Sequence, residues 1–238
     1  MKERPILFNG EMVRAILNGD KTQTRRPVVE LGNAWHIDRL LGDWPLSQAP
    51  EHTPTGAWVW ELQTDVDDSA RYIFSCPFGV PGDQLWVRET WAACRTYQGE
   101  YPAVAYKATG DIYIGNEKQP VLSVMAGKYG LSSPDSYGAA PKNIKWRPSI
   151  LMPRWASRIT LEVTDVRAER VQEIDRFDAI AEGIRWTISD KNTVHVYEAS
   201  KQTRERFREL WDSIYAKKGL GWDVNPWVWV VMFRMVSA

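Results

Sequence analysis

The 238-residue chain predicts an α+β fold: one mixed, mostly antiparallel β-barrel with short flanking helices and long insertions. Three observations carry that expectation. Short strand-like runs follow one another with dense turn signals between them, and no regular strand–helix–strand rhythm joins them. The last run, Val228 to Met235, is apolar on nearly every residue, as a central strand is. Apolar residues make up 44% and charged residues 25%, which are globular values.

Pro5-Ile6-Leu7-Phe8 reads as a short strand or extended entry. Met12, Val13, Ile16 and Leu17 recur at helical spacing, so a helix is expected from about Gly10 to Asn18, with Gly19 as its left-handed cap. An extended segment follows over Thr22 to Arg26, and Pro27 ends it or sets it at an edge. Residues 30 to 70 are rich in Gly, Pro and Asp; within them only Trp58 to Leu62 reads as a strand. Arg71 to Phe74 is the next strand. Cys76-Pro77-Phe78-Gly79-Val80-Pro81-Gly82-Asp83 is turn chemistry, and Gln84 to Glu89 a strand. Tyr101 to Lys107 adds another, and 109 to 146 reads as long loops.

Arg158 to Val163 alternates as a half-buried strand does. Asp175 and Gly183 bracket a short helix as N-cap and C-cap. A second helix is expected from Ser200 to Ala216, with Phe207, Leu210, Trp211 and Ile214 as its apolar stripe. The chain is thus expected to be a single domain with insertions at about 30 to 70 and 97 to 146.

Lys+Arg and Asp+Glu balance at 30 each, which gives no support to general nucleic-acid affinity but leaves room for a local basic face. Thirteen tryptophans supply packing, and some could stack bases. Cys76 and Cys94 carry no spacing that demands a disulfide, so a reduced, cytoplasmic setting is expected. No signal peptide and no membrane-length apolar run is visible. His36, His52 and His195 lie apart, so no metal and no cofactor is expected.

Chemistry concentrates in Gly19-Asp20-Lys21-Thr22-Gln23-Thr24-Arg25-Arg26-Pro27. Thr24 could serve as a nucleophile and Lys21 as its base, if burial and the adjacent Arg25 and Arg26 lower the lysine pKa. A solvated loop followed by an edge strand fits the same residues. Glu182, at the end of the short helix, is a carboxylate for proton transfer; Glu89, at a strand end, is its rival. Arg26, Arg154 and Arg158 are candidates for holding a phosphate or a base edge, and Trp155 and Trp227 for stacking a base.

The run Gly19-x-Lys21-Thr22-x-Thr24-x-Arg26 resembles the signature of the ASCH domain, a small β-barrel similar to the PUA fold. Pro81-Gly82-Asp83-Gln84-Leu85-Trp86-Val87-Arg88-Glu89 resembles that family's turn and strand. Met152 to Ile159, Asp178 to Ile184 and Asn225 to Trp229 are similar to a longer, phage-associated branch. The resemblance implies an amidohydrolase acting on N4-acetylcytidine or a related nucleoside, with Lys21, Thr24 and Glu182 matching its lysine, threonine and glutamate. As alternatives it implies a non-catalytic RNA-binding module or a metal-independent ribonuclease. This chain is more than twice the length of the small amidohydrolase. Its partners are therefore expected to be a modified nucleoside or RNA, with no membrane.

Overall fold

The computed structural model describes residues 1–28, 51–52, 57–62, 70–95, 102–114, 145–184 and 196–237. In chain order the elements are strand β1 (Glu3–Leu7), helix α1 (Gly10–Leu17), and strands β2 (Gln23–Pro27), β3 (Glu51–His52), β4 (Ala57–Leu62) and β5 (Ala70–Ser75). Then come β6 (Gln84–Arg88), β7 (Trp91–Arg95), β8 (Pro102–Tyr106), β9 (Ile112–Ile114) and β10 (Thr160–Arg170). Helix α2 (Arg176–Ala181), helix α3 (Val196–Tyr215) and strand β11 (Trp227–Ser237) complete them. The fold is mixed α+β, mostly antiparallel and with few helices. The strand orders are open, and among the described residues no sheet closes on itself.

The residues gather into two compact units, each discontinuous in sequence. The first holds Met1–Gly19, Asp83–Glu162 and Arg234–Ala238; the second holds Asp20–Gly82 and Val163–Phe233.

In the first unit the strand order is β1-β6-β10. β1 runs parallel to β6, with Pro5 opposite Trp86, and β10 runs antiparallel to it, with Leu161 opposite Leu85. Period-two alternation buries Leu85 and Val87 beside Ile159 and Leu161. A second antiparallel sheet, β7-β8-β9, packs Trp91, Val104, Tyr106 and Tyr113 against Met152 and Ala156. Helix α1 starts where the Asn9 side chain accepts from the Met12 N–H at 2.8 Å. It stops at Gly19, whose φ of +77° suits glycine.

In the second unit the order is β10-β11-β2, and β2 pairs antiparallel with β11, Arg25 opposite Val230 and Thr24 opposite Val231. Val228 and Val230 pack with Ala179 of α2 and with Phe207, Trp211 and Tyr215 of α3. Asp175 caps α2 by accepting from the Asp178 N–H at 2.7 Å, and Gly183 closes it at φ +89°. A separate sheet, β3-β4-β5, lies in this unit.

Several expectations differ in extent. β10 continues seven residues beyond the predicted Val163, to Arg170. Thr164 and Asp165 are both exposed, which shifts the inside–outside phase by one and ends the alternation that the sequence displays. Helix α3 begins at Val196, so Ser200 lies inside it; the apolar stripe that anchors it starts at Phe207 and says nothing of the first turn. Strands β7 and β9 were not expected. Three residues carry too little period to read, and β9 forms because Tyr113 is buried opposite Val104. Much of the two predicted insertions, with Trp35 and Trp44, lies outside the described residues.

Leu161 is fully buried, whereas Phe177 is 68% exposed. Leu161→Ala should lower unfolding free energy by about 2–5 kcal/mol and Phe177→Ala by under about 0.5 kcal/mol, read from denaturant midpoints at unchanged slope.

Candidate active site

The Lys21 motif folds as a strand entry. The Lys21 and Glu182 backbones form an isolated antiparallel bridge, with the Thr22 N–H donating to Ala181 O at 2.9 Å. On the other side the Phe233 N–H donates to Thr22 O at 2.9 Å, continuing the β2–β11 ladder. The loop is therefore held on both sides by backbone, and the side chains are placed by strand alternation.

Lys21 and Glu182 meet. Lys21 Nζ lies 2.7 Å from Glu182 Oε2 and also donates to the Glu182 backbone oxygen at 2.8 Å. Both side chains are sealed from solvent, at 0% and 4% exposure. Loss of hydration is the largest influence on the ammonium and pulls the Lys21 pKa below the ordinary lysine value. Glu182 opposes that pull, while Arg26 and Arg25 add to it.

Arg25 organises the rest. Its guanidinium lies 3.5 Å from Glu182 Oε1, donates to Asp178 at 2.8 Å, and donates to Glu169. Arg167 closes the network, donating to Glu169 and to Asp178 at 3.0 Å each. Three cations and three carboxylates thus balance in one place, which is how buried charge is tolerated. Burial raises the Asp178 pKa, but Arg25 and Arg167 outweigh it and hold the carboxyl below the ordinary aspartate range.

Thr24 lies on the other face of β2. Lys21 and Arg25 both reach Glu182, so that face belongs to the odd-numbered residues; Thr24 shares the opposite face with Val231 beside it. Thr24 is buried, and among the described residues no hydrogen bond joins it to Lys21. Arg26 is half-buried, with Nη1 3.4 Å from the Tyr215 hydroxyl. Trp227 is buried beneath the Arg170 guanidinium, 4.6 Å from its ring centre, and packs rather than presenting a free face.

The remaining candidates lie in the first unit. Glu89 is paired by Arg158, Nε to Oε1 at 2.9 Å and Nη2 to Oε2 at 3.2 Å. Arg158 also donates to Asp111 at 2.7 Å and Thr109 at 3.1 Å, and stacks 4.2 Å above Tyr106. Burial raises the Glu89 pKa against the pull of Arg158. Arg158 is a fully engaged hub, with no donor directed to a phosphate. Arg154 pairs with Glu3 at 2.9 and 3.1 Å on the surface, and Trp155 is 70% exposed.

Sequence reasoning missed Glu169 and Asp178 as partners of Arg25, Arg167 as the second cation on both, and Asp111 as a partner of Arg158. Arg167 and Glu169 stand two apart on a strand whose alternation had already slipped, and Asp178 entered only as the start of a run similar to the longer branch. Nothing in the linear pattern ties these residues to Arg25.

Among the described residues no group of His, Cys, Asp and Glu could hold a metal ion, and no helix is long and apolar enough to cross a membrane. No protein-family model, curated protein or solved structure matches the chain.

Removing one partner strands the other's buried charge. Lys21→Met or Glu182→Gln alone should destabilise by about 3–5 kcal/mol, and the double variant by clearly less than the sum, measured as a double-mutant cycle in denaturant. Asp178 is more readily deprotonated folded than unfolded. The unfolded chain therefore binds more protons, and this contribution is present above the ordinary aspartate pKa of 3.8. It should be lost as pH falls through the lower folded value, and Asp178→Asn should flatten that part of the acid-unfolding profile.

Proposed function

We propose that the chain is an amidohydrolase that removes an acyl group from a modified nucleoside such as N4-acetylcytidine, and that it is a single PUA-like domain of the ASCH family. The observation that carries the reading is the sealed Lys21–Glu182 pair. A buried lysine with a lowered pKa can exist as a neutral amine, and a carboxylate 2.7 Å away can hold the proton it gives up.

Hydrolysis then balances with these groups alone. The Lys21 amine takes a proton from the attacking hydroxyl, which adds to the acyl carbonyl. Lys21 passes that proton to Glu182, and the tetrahedral intermediate collapses as Glu182 gives it to the departing cytosine nitrogen; this frees the nucleoside and leaves acetate where water attacked, or an acetyl ester on Thr24 that water then cleaves to acetate by the same proton transfers. Arg25 lies 3.5 Å from the other oxygen of Glu182. The hydroxyl is that of Thr24 or of water. Thr24 stands opposite Val231, on the face away from Arg25.

A second reading has its own observation. Lys21 Nζ donates to the Glu182 backbone oxygen at the end of α2, as a lysine that merely closes a helix would. In that case the chain binds RNA or a nucleoside without turning it over.

Purified protein with N4-acetylcytidine, followed by chromatography, should yield cytidine. The rate should climb with pH to a midpoint below the ordinary lysine pKa, because the base works deprotonated. Lys21→Arg keeps the charge but cannot release a proton, so turnover should vanish while nucleoside binding persists. Near wild-type turnover in that variant rules out Lys21 as the base. Thr24→Ala decides the nucleophile: an inactive, folded variant assigns it to Thr24, an active one to water.

A further inference from the structure

The surface of the first unit carries an apolar patch that the proposed chemistry does not use. Two single helical turns, Ser149–Leu151 and Arg154–Ala156, each follow a proline, Pro148 and Pro153. Proline fixes their entry, and of the apolar side chains they carry all but Ala156 stand outward. Ile150 is 61% exposed, Leu151 63% and Trp155 70%.

The patch adjoins the outer face of β1 and β6. Arg154 on the second turn pairs with Glu3 of β1, and the Arg88 Nε–H donates to Met152 O at 3.0 Å. Leu7 is exposed opposite Arg88, and Pro5 is exposed opposite Trp86. Exposed large aliphatic and indole groups so closely grouped are unusual on a surface that stays in water.

Charge selects the partner. Arg88 lies 5.1 Å from the Trp86 ring and Arg147 5.3 Å from the Trp91 ring, and among the described residues neither is paired with a carboxylate. Among the described residues, the carboxylates that the strand register puts on this face, Glu3 and Glu162, are already answered by Arg154 and Arg234. An apolar centre with an arginine rim matches a partner that has apolar anchors flanked by carboxylates.

Two features favour a peptide over a nucleic acid. Three of the protruding side chains, Ile150, Leu151 and Leu7, are aliphatic and offer no ring for a base to stack on. Of the indoles here, Trp86 already has guanidiniums near its ring, Arg88 at 5.1 Å and Arg154 at 6.0 Å, and Trp155 is set against Trp91, ring centres 5.9 Å apart.

We propose that Ile150, Leu151 and Trp155, with Leu7 beside them and Arg88 and Arg147 at the rim, form a docking surface for an acidic, apolar-anchored segment of another protein.

A random displayed-peptide library selected on the wild-type protein, and counter-selected on a Leu151→Ser/Trp155→Ala variant, reads the partner chemistry directly. Both positions are exposed, so the variant should keep the wild-type circular dichroism and denaturant midpoint. Selected peptides should be rich in Asp or Glu around Leu, Ile or Phe. A synthetic peptide of the consensus should bind roughly tenfold more weakly to that variant, and more weakly to Arg88→Glu/Arg147→Glu, by fluorescence anisotropy. Its binding should weaken as salt rises. A basic consensus, no enrichment over the variant, or unchanged affinity in both variants would overturn the proposal. So would an oligouridine that binds wild type and loses affinity in the same variants, or concentration-dependent dimerisation that they abolish.

Discussion

A lysine that cannot reach water must be answered on the spot, and that constraint shapes the second unit. The ammonium of Lys21 has no solvent, so a carboxylate must come to it. Glu182 is delivered by the C-terminal end of α2, and α2 must then be docked to the entry of β2. The backbone bridge between Lys21 and Glu182 does this docking. Satisfying one charge therefore fixes how a helix meets a strand.

The same logic extends outward through Arg25. Bringing Glu182 inside places a second carboxylate oxygen there, and Arg25 lies 3.5 Å from it. Arg25 is itself buried, so it requires anions of its own, which Glu169 on β10 and Asp178 on α2 provide. Arg167 then answers those two at the half-exposed margin, where hydration takes over. Each charge is the reason for the next, and the chain stops only where solvent can complete the set. The first unit repeats the principle with fewer members. There Arg158 joins the end of β6, through Glu89, to the turn that holds Thr109 and Asp111, and Tyr106 covers the guanidinium.

What the sequence made legible follows from how local each feature is. Asp175 and Gly183 mark α2 because a cap is decided within four residues, and β11 is legible because it is apolar without a break from Trp227 to Phe233. The extended form of β2 could be read, but not that both its faces are covered, since Gln23, Thr24 and Arg25 are all polar yet buried. That burial comes from β11, α2 and α3, far along the chain. Lys21 and Glu182 stand 161 positions apart. Spacing cannot join them, and their pairing was reached only through likeness to a known motif. Arg167 and Glu169 carried no such likeness and were invisible.

Strand geometry also separates the two halves of the motif in a way that a linear reading cannot. Lys21 and Thr24 are three residues apart, within easy reach of each other in a helix or a loop. Once 23–27 is extended, an odd separation turns them to opposite faces. The arginines do not divide in this way: Arg25 joins the carboxylate network with Lys21, and Arg26 reaches the Tyr215 hydroxyl of α3 and helps to lower the Lys21 pKa. Within a signature that looks like one polar group, Thr24 is therefore set apart from Lys21. The carboxylates gather on the face toward α2. Chemistry that needs a lowered lysine pKa and a proton partner must take place on that face, and any role of Thr24 has to be exercised from the other.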